Sequence, residues 1–390
     1  MTDIRKSRIE SIDLLKGLVM IIMALDHVRD YFHYSAFFFD PTDPLKTTFP
    51  IYFTRFITNF CAPAFSFLAG LSAFMVGKRK SKKELSQFLL KRGVWLVFVE
   101  IVILSFAWLF DPNYSMIALQ VIWVLGISMI FLAGLIHLPL NYILVFSCVF
   151  IFGHNLLDSV HFEGSLLWSF IHEQQIFPNI ANRTLVFAYP ILPWFAVMSL
   201  GYYFGSFYDS SFDQNKRKKI FNTIGICSWV LLLILRFTNV YGNLLPWIDY
   251  GNFSQNLISF LNFTKYPPSL TFLLLTLGAT LLFLANTENL KGRIVDFFCV
   301  FGRVPFFYYI IHIYLIHLLA LVVAEVTGFG WKTMILKMPV WFSPDLKGYG
   351  FSLPWVYLVW FGLIAILYPI CKKFDRYKQS NKDKWWLSYL

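Results

Sequence analysis

Residues 8–34 read RIESIDLLKGLVMIIMALDHVRDYFHY. The stretch begins polar, turns into a run rich in Leu, Val, Met and Ile, and then sets Asp26, His27, Arg29, Asp30 and His33 within two helical turns. An apolar helix that ends in carboxylates and imidazoles is costly to build unless those groups meet partners or a polar cavity. The rest of the chain says what solvent this helix was built for. Hydrophobic residues make up 57% of the sequence and charged residues only 14%, where a soluble domain carries nearer a quarter. With 44 Phe and 20% aromatic residues, one aqueous core cannot hide the apolar side chains, and the bilayer must act as solvent. The expected fold class is all-α: a polytopic integral membrane protein, one transmembrane domain over residues 1–390.

The net charge of +11 does not point to nucleic acid. The basic residues cluster in short gaps between apolar segments, as orientation signals do. The five cysteines, Cys61, Cys148, Cys227, Cys299 and Cys371, are scattered without a CxxC pair, so neither a disulfide framework nor a thiolate metal site is indicated. No A-x-A site follows the first apolar run, and that span is expected to be retained.

The hydropathy pattern predicts about ten membrane helices. Their approximate ranges are 14–32, 52–76, 93–110, 118–137, 139–157, 185–205, 220–237, 270–285, 297–325 and 351–371. The gaps that carry KRKSKK, NKRKK and KKFDRYK fall on one side, which places both termini in the cytoplasm, with 1–13 and the basic tail 372–390 inside. The long loops 34–50, 158–184, 238–268 and 326–350 then lie outside, where they could roof a pocket. No clear internal repeat is visible.

On the first helix, His27 lies about 21 Å above Asp13 along the axis, in the outer half of a core about 30 Å thick. Asp26, Asp30 and His33 share a face, and His27 and Asp30 are one turn apart. A carboxylate beside an imidazole holds its tautomer and raises its basicity, as general-base chemistry requires. In the ninth span, FGRVPFFYYIIHIYLIH, Tyr308 and His312 share a face above Arg303, and His317 points elsewhere. Further polar groups within spans are Arg55, Asn59, Glu100, Gln120 and Arg236, the last followed by Asn239, Tyr241 and Asn243. Each is a functional candidate by default or half of a structural pair, and Glu100 reads as the most structural. The eight His are too dispersed for HExxH or another zinc spacing, and no GxSxG elbow or P-loop is present.

Six stretches carry a resemblance: SIDLLKGLVMIIMALDHVRDYF, FCAPAFSFLAGLSAF, LQVIWVLGISMI, YPILPWFAVMSLGYYFG, KYPPSLTFLLLTLGATLL and GRVPFFYYIIHIYLIH. Together, in order and over nearly the whole chain, the sequence resembles the bacterial relatives of heparan-α-glucosaminide N-acetyltransferase. The resemblance implies a membrane-embedded acyltransferase that takes acetyl from cytosolic acetyl-CoA and delivers it across the membrane to an amine or hydroxyl, often of a sugar. It implicates a His near the outer end of the first helix; His27 is nearest to that position and His33 is the second candidate.

Residue types and resemblance meet on one arrangement. The expected catalytic group is His27 with Asp26, Asp30 and His312. Arg303, Arg92, Lys78 and Arg79, near the inner face, suit the phosphates of acetyl-CoA. Asn59, Tyr308 or His312 could donate to the developing oxyanion. Asn59 and Tyr308 are grouped with Arg303 and Arg92 as acyl-CoA-binding residues, and His33, Arg236 and Asn239 as acceptor-binding ones. The expected partners are an acyl-CoA, a sugar-like or glycan-like acceptor and the lipid bilayer of the inner (plasma) membrane; no metal and no nucleic acid are expected, and a homodimer is left open. From another class, a proton-coupled transporter would use Asp26, His27, Glu100 and His312 as a relay. A structural or lipid-organising membrane protein is the third reading.

Overall fold

The computed structural model describes residues 10–388. The expected N-terminal segment 1–13 therefore falls largely outside the described residues, as do the last two residues of the tail. In chain order the elements are α1 (Glu10–Phe32), α2 (Phe49–Gly77), α3 (Lys82–Leu109), β1 (Met116–Leu119), α4 (Val121–Leu135), α5 (Leu140–Leu157), α6 (Leu166–Ile171), β2 (Gln175–Ile180) and β3 (Arg183–Phe187). They continue with α7 (Ile191–Gly205), α8 (Gln214–Thr238), α9 (Phe253–Leu261), α10 (Leu270–Thr287), α11 (Arg293–Arg303), α12 (Pro305–Val326) and α13 (Leu353–Ser380).

Among the described residues, seven helices (α2, α3, α5, α8, α10, α12 and α13) are long and apolar enough to cross a membrane. The protein is mostly helical and polytopic, as composition predicts. The other three expected spans also fall on helices. α1 is long but charged, and α4 and α7 have 15 residues each.

α3 starts earlier and α13 ends later than the hydropathy reading has them, at Lys82 and Ser380, and three further differences shift or break a span. Residues 185–190 are not helical. Arg183–Phe187 pairs as a strand with β1 in parallel and β2 in antiparallel, forming a small sheet of order β1-β3-β2. The β2–β3 turn places Ala181 and Asn182 at φ 50° and 61°, the pair of positive values that a two-residue hairpin loop demands. α7 starts only after Pro190. The ninth span is broken in two. Pro305 has no N–H to extend a preceding helix and pushes Val304 out of the helical region; Val304 sits at φ −130°, ψ 46°. α11 ends at that elbow and α12 begins. The third difference is a 3-10 turn, Ile57–Phe60, inside α2. Pro63 cannot bond the carbonyl of Asn59, and the ladder tightens locally.

α1 lies at the centre of the bundle, against α2, α10, α11, α12 and α13. Helices in lipid gain little from hydrophobicity alone and associate through close packing. Here glycine makes the approach possible. A Cβ on Gly17 would stand 1.8 Å from the Phe298 carbonyl oxygen, and one on Gly302 1.8 Å from that of Asp13. α1 and α11 thus touch backbone to backbone. Gly70 and Gly201 do the same for α2 and α7, at 1.8 Å from the Met198 oxygen and 1.9 Å from that of Phe67. The core of α1, including Val19, Ala24, Leu25, Val28, Tyr31 and Phe32, is sealed at 2% exposure or less. Leu18, Ile22, Asp26 and Asp30 remain partly accessible. Recurring every four residues, they share one side of the helix.

Candidate functional site

α1 and α12 meet at two imidazoles. His27 Nδ1 lies 2.8 Å from His312 Nε2, and the rings stack with centroids 5.1 Å apart at 19°. The network assigns the protons. His312 Nδ1 is 3.0 Å from the Tyr308 carbonyl oxygen, which can only accept, so Nδ1 carries hydrogen and a neutral His312 presents Nε2 as acceptor. His27 must then donate from Nδ1, which leaves its Nε2 with a free lone pair. His312 is fully buried, whereas His27 is only half-buried. The edges of Trp108 and Tyr309, at centroid distances of 4.8 Å and 6.4 Å, fix the His27 ring in place. Below it, the Tyr308 ring stacks on His312 at 5.1 Å, its hydroxyl buried without a partner. The arrangement can take up a proton at His27 Nε2 and stabilise the resulting imidazolium through His312.

Asp26 and Asp30 were expected to orient His27. Instead both face arginines. Asp26 Oδ2 accepts from Arg55 at 3.0 Å, and Asp30 Oδ1 accepts from Arg29 at 2.7 Å. Asp26 Oδ1 lies 2.9 Å from the same Arg29 nitrogen, an ion pair too bent for a hydrogen bond. The orienting partner of His27 is therefore His312. Arg55 is held in turn by Thr58, whose hydroxyl takes its N–H at 2.9 Å and donates to its carbonyl at 2.7 Å. Asn59 stands on the 3-10 turn of α2 that packs against α1.

Sequence reasoning missed Lys265. It comes from the loop before α10, where a lysine is ordinary, yet its ammonium is close enough to act electrostatically on Asp26 and His27. The Lys265 ammonium lies 5.2 Å from the centre of the Tyr266 ring, and the Tyr266 hydroxyl lies 3.3 Å from that of Tyr189. With Lys265, Arg29 and Arg55 against Asp26 and Asp30, the cluster holds one more cation than carboxylates when the imidazoles are neutral. That excess favours negative charge developing beside His27.

Other expected site residues are occupied elsewhere. His33 is buried and accepts from the Ser35 amide at 3.3 Å as the cap of a short 3-10 turn, with the Ser35 hydroxyl at 2.6 Å. Arg236 donates to the carbonyls of Phe260, Leu245, Ser259 and Asn262 and so fastens the loop after α8. Asn239 takes the left-handed conformation that ends α8 and exchanges two hydrogen bonds with the Trp247 backbone. At the inner end, Arg303 lies 4.0 Å from Asp13 and 3.5 Å from Asp375, tying α11 to α1 and α13. Lys78 pairs with Asp209 at 2.8 Å, and Arg92 is half-buried in α3. Glu100 is fully buried in a π-turn of α3 and accepts from the Trp123 amide at 2.9 Å. It caps the start of α4, which Gln120 leaves uncapped. His317 contacts the carbonyls of Ala107 and Met334.

The fold and this centre define an integral membrane protein with a hydrogen-bonded imidazole pair inside its helical bundle. Residues 8–235 match the family model described as heparan-alpha-glucosaminide N-acetyltransferase, catalytic. The match covers more than half of the chain, and the chain belongs to that family of membrane acetyltransferases. It includes His27, Asp26, Asp30 and Arg55 and ends just before Arg236, so Lys265 and His312 come from the part beyond it. No curated protein sequence matches the chain significantly.

Proposed function

We propose that the protein transfers an acetyl group from cytosolic acetyl-CoA to an amine or hydroxyl of a sugar-like acceptor at the outer side of the inner membrane, with His27 as general base. The observation that carries this reading is the half-buried His27, whose Nδ1 is engaged by His312 so that Nε2 keeps its lone pair. In the direct reaction, Nε2 takes the proton of the acceptor as its nitrogen or oxygen attacks the thioester carbonyl. The carbonyl π electrons move to oxygen, whose negative charge faces the excess of cations from Arg29, Arg55 and Lys265. Collapse re-forms the carbonyl and breaks the C–S bond; the imidazolium returns its proton to the departing CoA thiolate.

The donor would enter from the inner side, with Arg79 and Arg92 near its phosphates. The thioester would rise along the partly accessible side of α1 through Leu18 and Ile22 toward Asp26. Both termini are then cytoplasmic. Incubating purified protein with radiolabelled acetyl-CoA and a panel of amino sugars tests the proposal. Label should pass to an acceptor, and His27→Ala should abolish transfer while still binding CoA. Acid-labile label retained on the protein would show that His27 carries the acetyl itself. Absence of transfer or slow hydrolysis, with pH-driven solute flux in liposomes, would favour the transporter reading. That relay is weakened by the use of Glu100 as a helix cap and of Asp26 as a partner of Arg55.

A further inference from the structure

At the end of the bundle that holds the C-terminus of α1, a second cluster of chemistry-bearing groups lies apart from the imidazole pair. His154 and Asp158 close α5, and His172 follows α6. One ligand atom from each, nitrogen, oxygen and nitrogen, lies within 4.8 Å of the other two. His172 Nε2 is 3.0 Å from Asp158 Oδ1, and the two imidazoles are 5.9 Å apart between centroids. Both histidines are sealed, at 1% and 2% exposure.

Packing alone does not account for this group. Both ring nitrogens of His154 are buried without any partner, as is Nδ1 of His172. A buried imidazole must carry a hydrogen on one nitrogen and a lone pair on the other, and leaving both unmatched costs about 1–3 kcal/mol for each group. A cation at the centroid of the three residues would use the lone pairs of both histidines at once. The carboxylate is also set up as a ligand. Asp158 Oδ2 accepts from the Asn155 amide at 2.8 Å, and Asn155 Oδ1 accepts from the Leu270 backbone at 2.8 Å. Such outer-shell bonds orient metal ligands and tune their basicity.

We infer that His154, Asp158 and His172 form a binding site for a divalent first-row transition metal, with Zn2+ as the ion of choice. Two imidazoles and one carboxylate suit zinc, whereas Mg2+ and Ca2+ want oxygen ligands throughout. Ligands 2.0–2.2 Å from a zinc ion stand about 3–3.5 Å from one another. The His172–Asp158 edge already has that length, and the ion would draw the His154 ring inward to match. Three protein ligands leave a fourth position for water. Bound there, the ion clamps the end of α5 to α6 and, through Asn155, to the start of α10, whose preceding loop supplies Lys265. The inference stands independently of the proposed reaction, because its ligands are not the groups around His27.

The test uses the full chain purified in detergent and stripped with EDTA. Zn2+ is titrated in competition with a chromophoric chelator, and metal content is measured by mass spectrometry after desalting. One Zn2+ per chain is expected, with affinity falling about a hundredfold or more in the His154→Ala/His172→Ala variant and unchanged in His161→Ala, whose ring pairs with Glu173 on the surface. Substitution with Co2+ in the wild type should give the visible absorption of a nitrogen- and oxygen-ligated ion, a readout that needs no variant to fold. Asp158→Asn should weaken binding while Asn can still accept from Asn155. Zinc binding no tighter in the wild type than in the double variant, equal loss in His161→Ala, or equal competition by Mg2+ would each overturn the inference.

Discussion

Replacing His312 by alanine probes the centre most directly. The substitution removes the acceptor of a 2.8 Å hydrogen bond and leaves His27 free to exchange tautomers, with its ring steadied only by the edges of Trp108 and Tyr309. General-base catalysis is worth about 10²- to 10⁴-fold. The base itself survives in this variant and only its orientation and the stabilisation of its imidazolium are lost, so the lower end applies. A decrease in kcat of about a hundredfold is expected, or about 2.7 kcal/mol of transition-state stabilisation. His312 is fully buried, and the cavity left behind should also lower stability by about 2–4 kcal/mol.

The assay must separate the two effects. Initial rates of transfer from labelled acetyl-CoA are measured at saturating donor, alongside the Kd for CoA and the melting temperature in detergent. His312→Gln completes the series, because its side-chain oxygen can accept from His27 Nδ1 and should recover about tenfold of the rate. The reasoning is refuted if folded His312→Ala transfers acetyl within about threefold of the wild type. It is refuted equally if the loss appears in CoA affinity with kcat unchanged.

Other perturbations read other parts of the structure. Arg55→Ala removes the hydrogen-bonded partner of Asp26, leaving it Arg29 and the charge of Lys265, and should destabilise the protein by about 3–5 kcal/mol, the cost of uncovering a buried charge, measured by thermal unfolding against Asp26→Asn and the double variant. Glu100→Gln keeps an oxygen for the Trp123 amide and should retain acetyl transfer within about threefold; a complete loss would mean that proton exchange at Glu100 is required. Gly302→Val places side-chain atoms where the Asp13 carbonyl stands, and size-exclusion profiles should show loss of monodisperse protein. Outside the membrane, hydrogen bonds from Lys78 and from Ser211 hold the Asp209 carboxyl well below the usual carboxylate range. Its contribution is therefore present above the ordinary carboxylate pKa and fades as pH falls below about 4. The gap in melting temperature between wild type and Asp209→Asn should narrow over that range, and a gap independent of pH would contradict the assignment.

The sequence revealed the membrane class and the importance of residues 26–30 for the same physical reason. Charged groups in apolar helices stand out, and lipid leaves them few roles. It could place Tyr308 and His312 on one face of a helix, but the bond between His27 and His312 joins residues far apart in the chain. That pairing depends on helices keyed together by glycines, and a glycine does not announce its neighbour. Asp26 and Asp30 were visible as carboxylates one turn from an imidazole. Whether Asp26 serves it or an arginine depends on Arg55, which reaches Asp26 from another helix, while Asp30 is taken by Arg29 beside it in the chain. Arg236 and Asn239 looked like binding groups because loop carbonyls, their actual partners, have no sequence signature. Lys265 and the β2–β3 hairpin were hidden in loops where polar residues and short apolar runs are unremarkable. His154 and His172 escaped because their spacing follows the fold of a loop instead of a helical repeat.

The contact of Gly17 with Gly302 gives the centre a lever arm. His27 lies ten residues above Gly17, about 15 Å along α1, and His312 stands at the matching height beyond the Val304–Pro305 elbow. A pivot of about 4° at the glycine contact would therefore displace one imidazole by about 1 Å relative to the other, enough to cost a reaction about a hundredfold. For the proposed reaction, that tolerance would be set at the end of α1 far from the imidazoles. A force that rocked α11 against α1 would act there with mechanical advantage on the distance between His27 and His312.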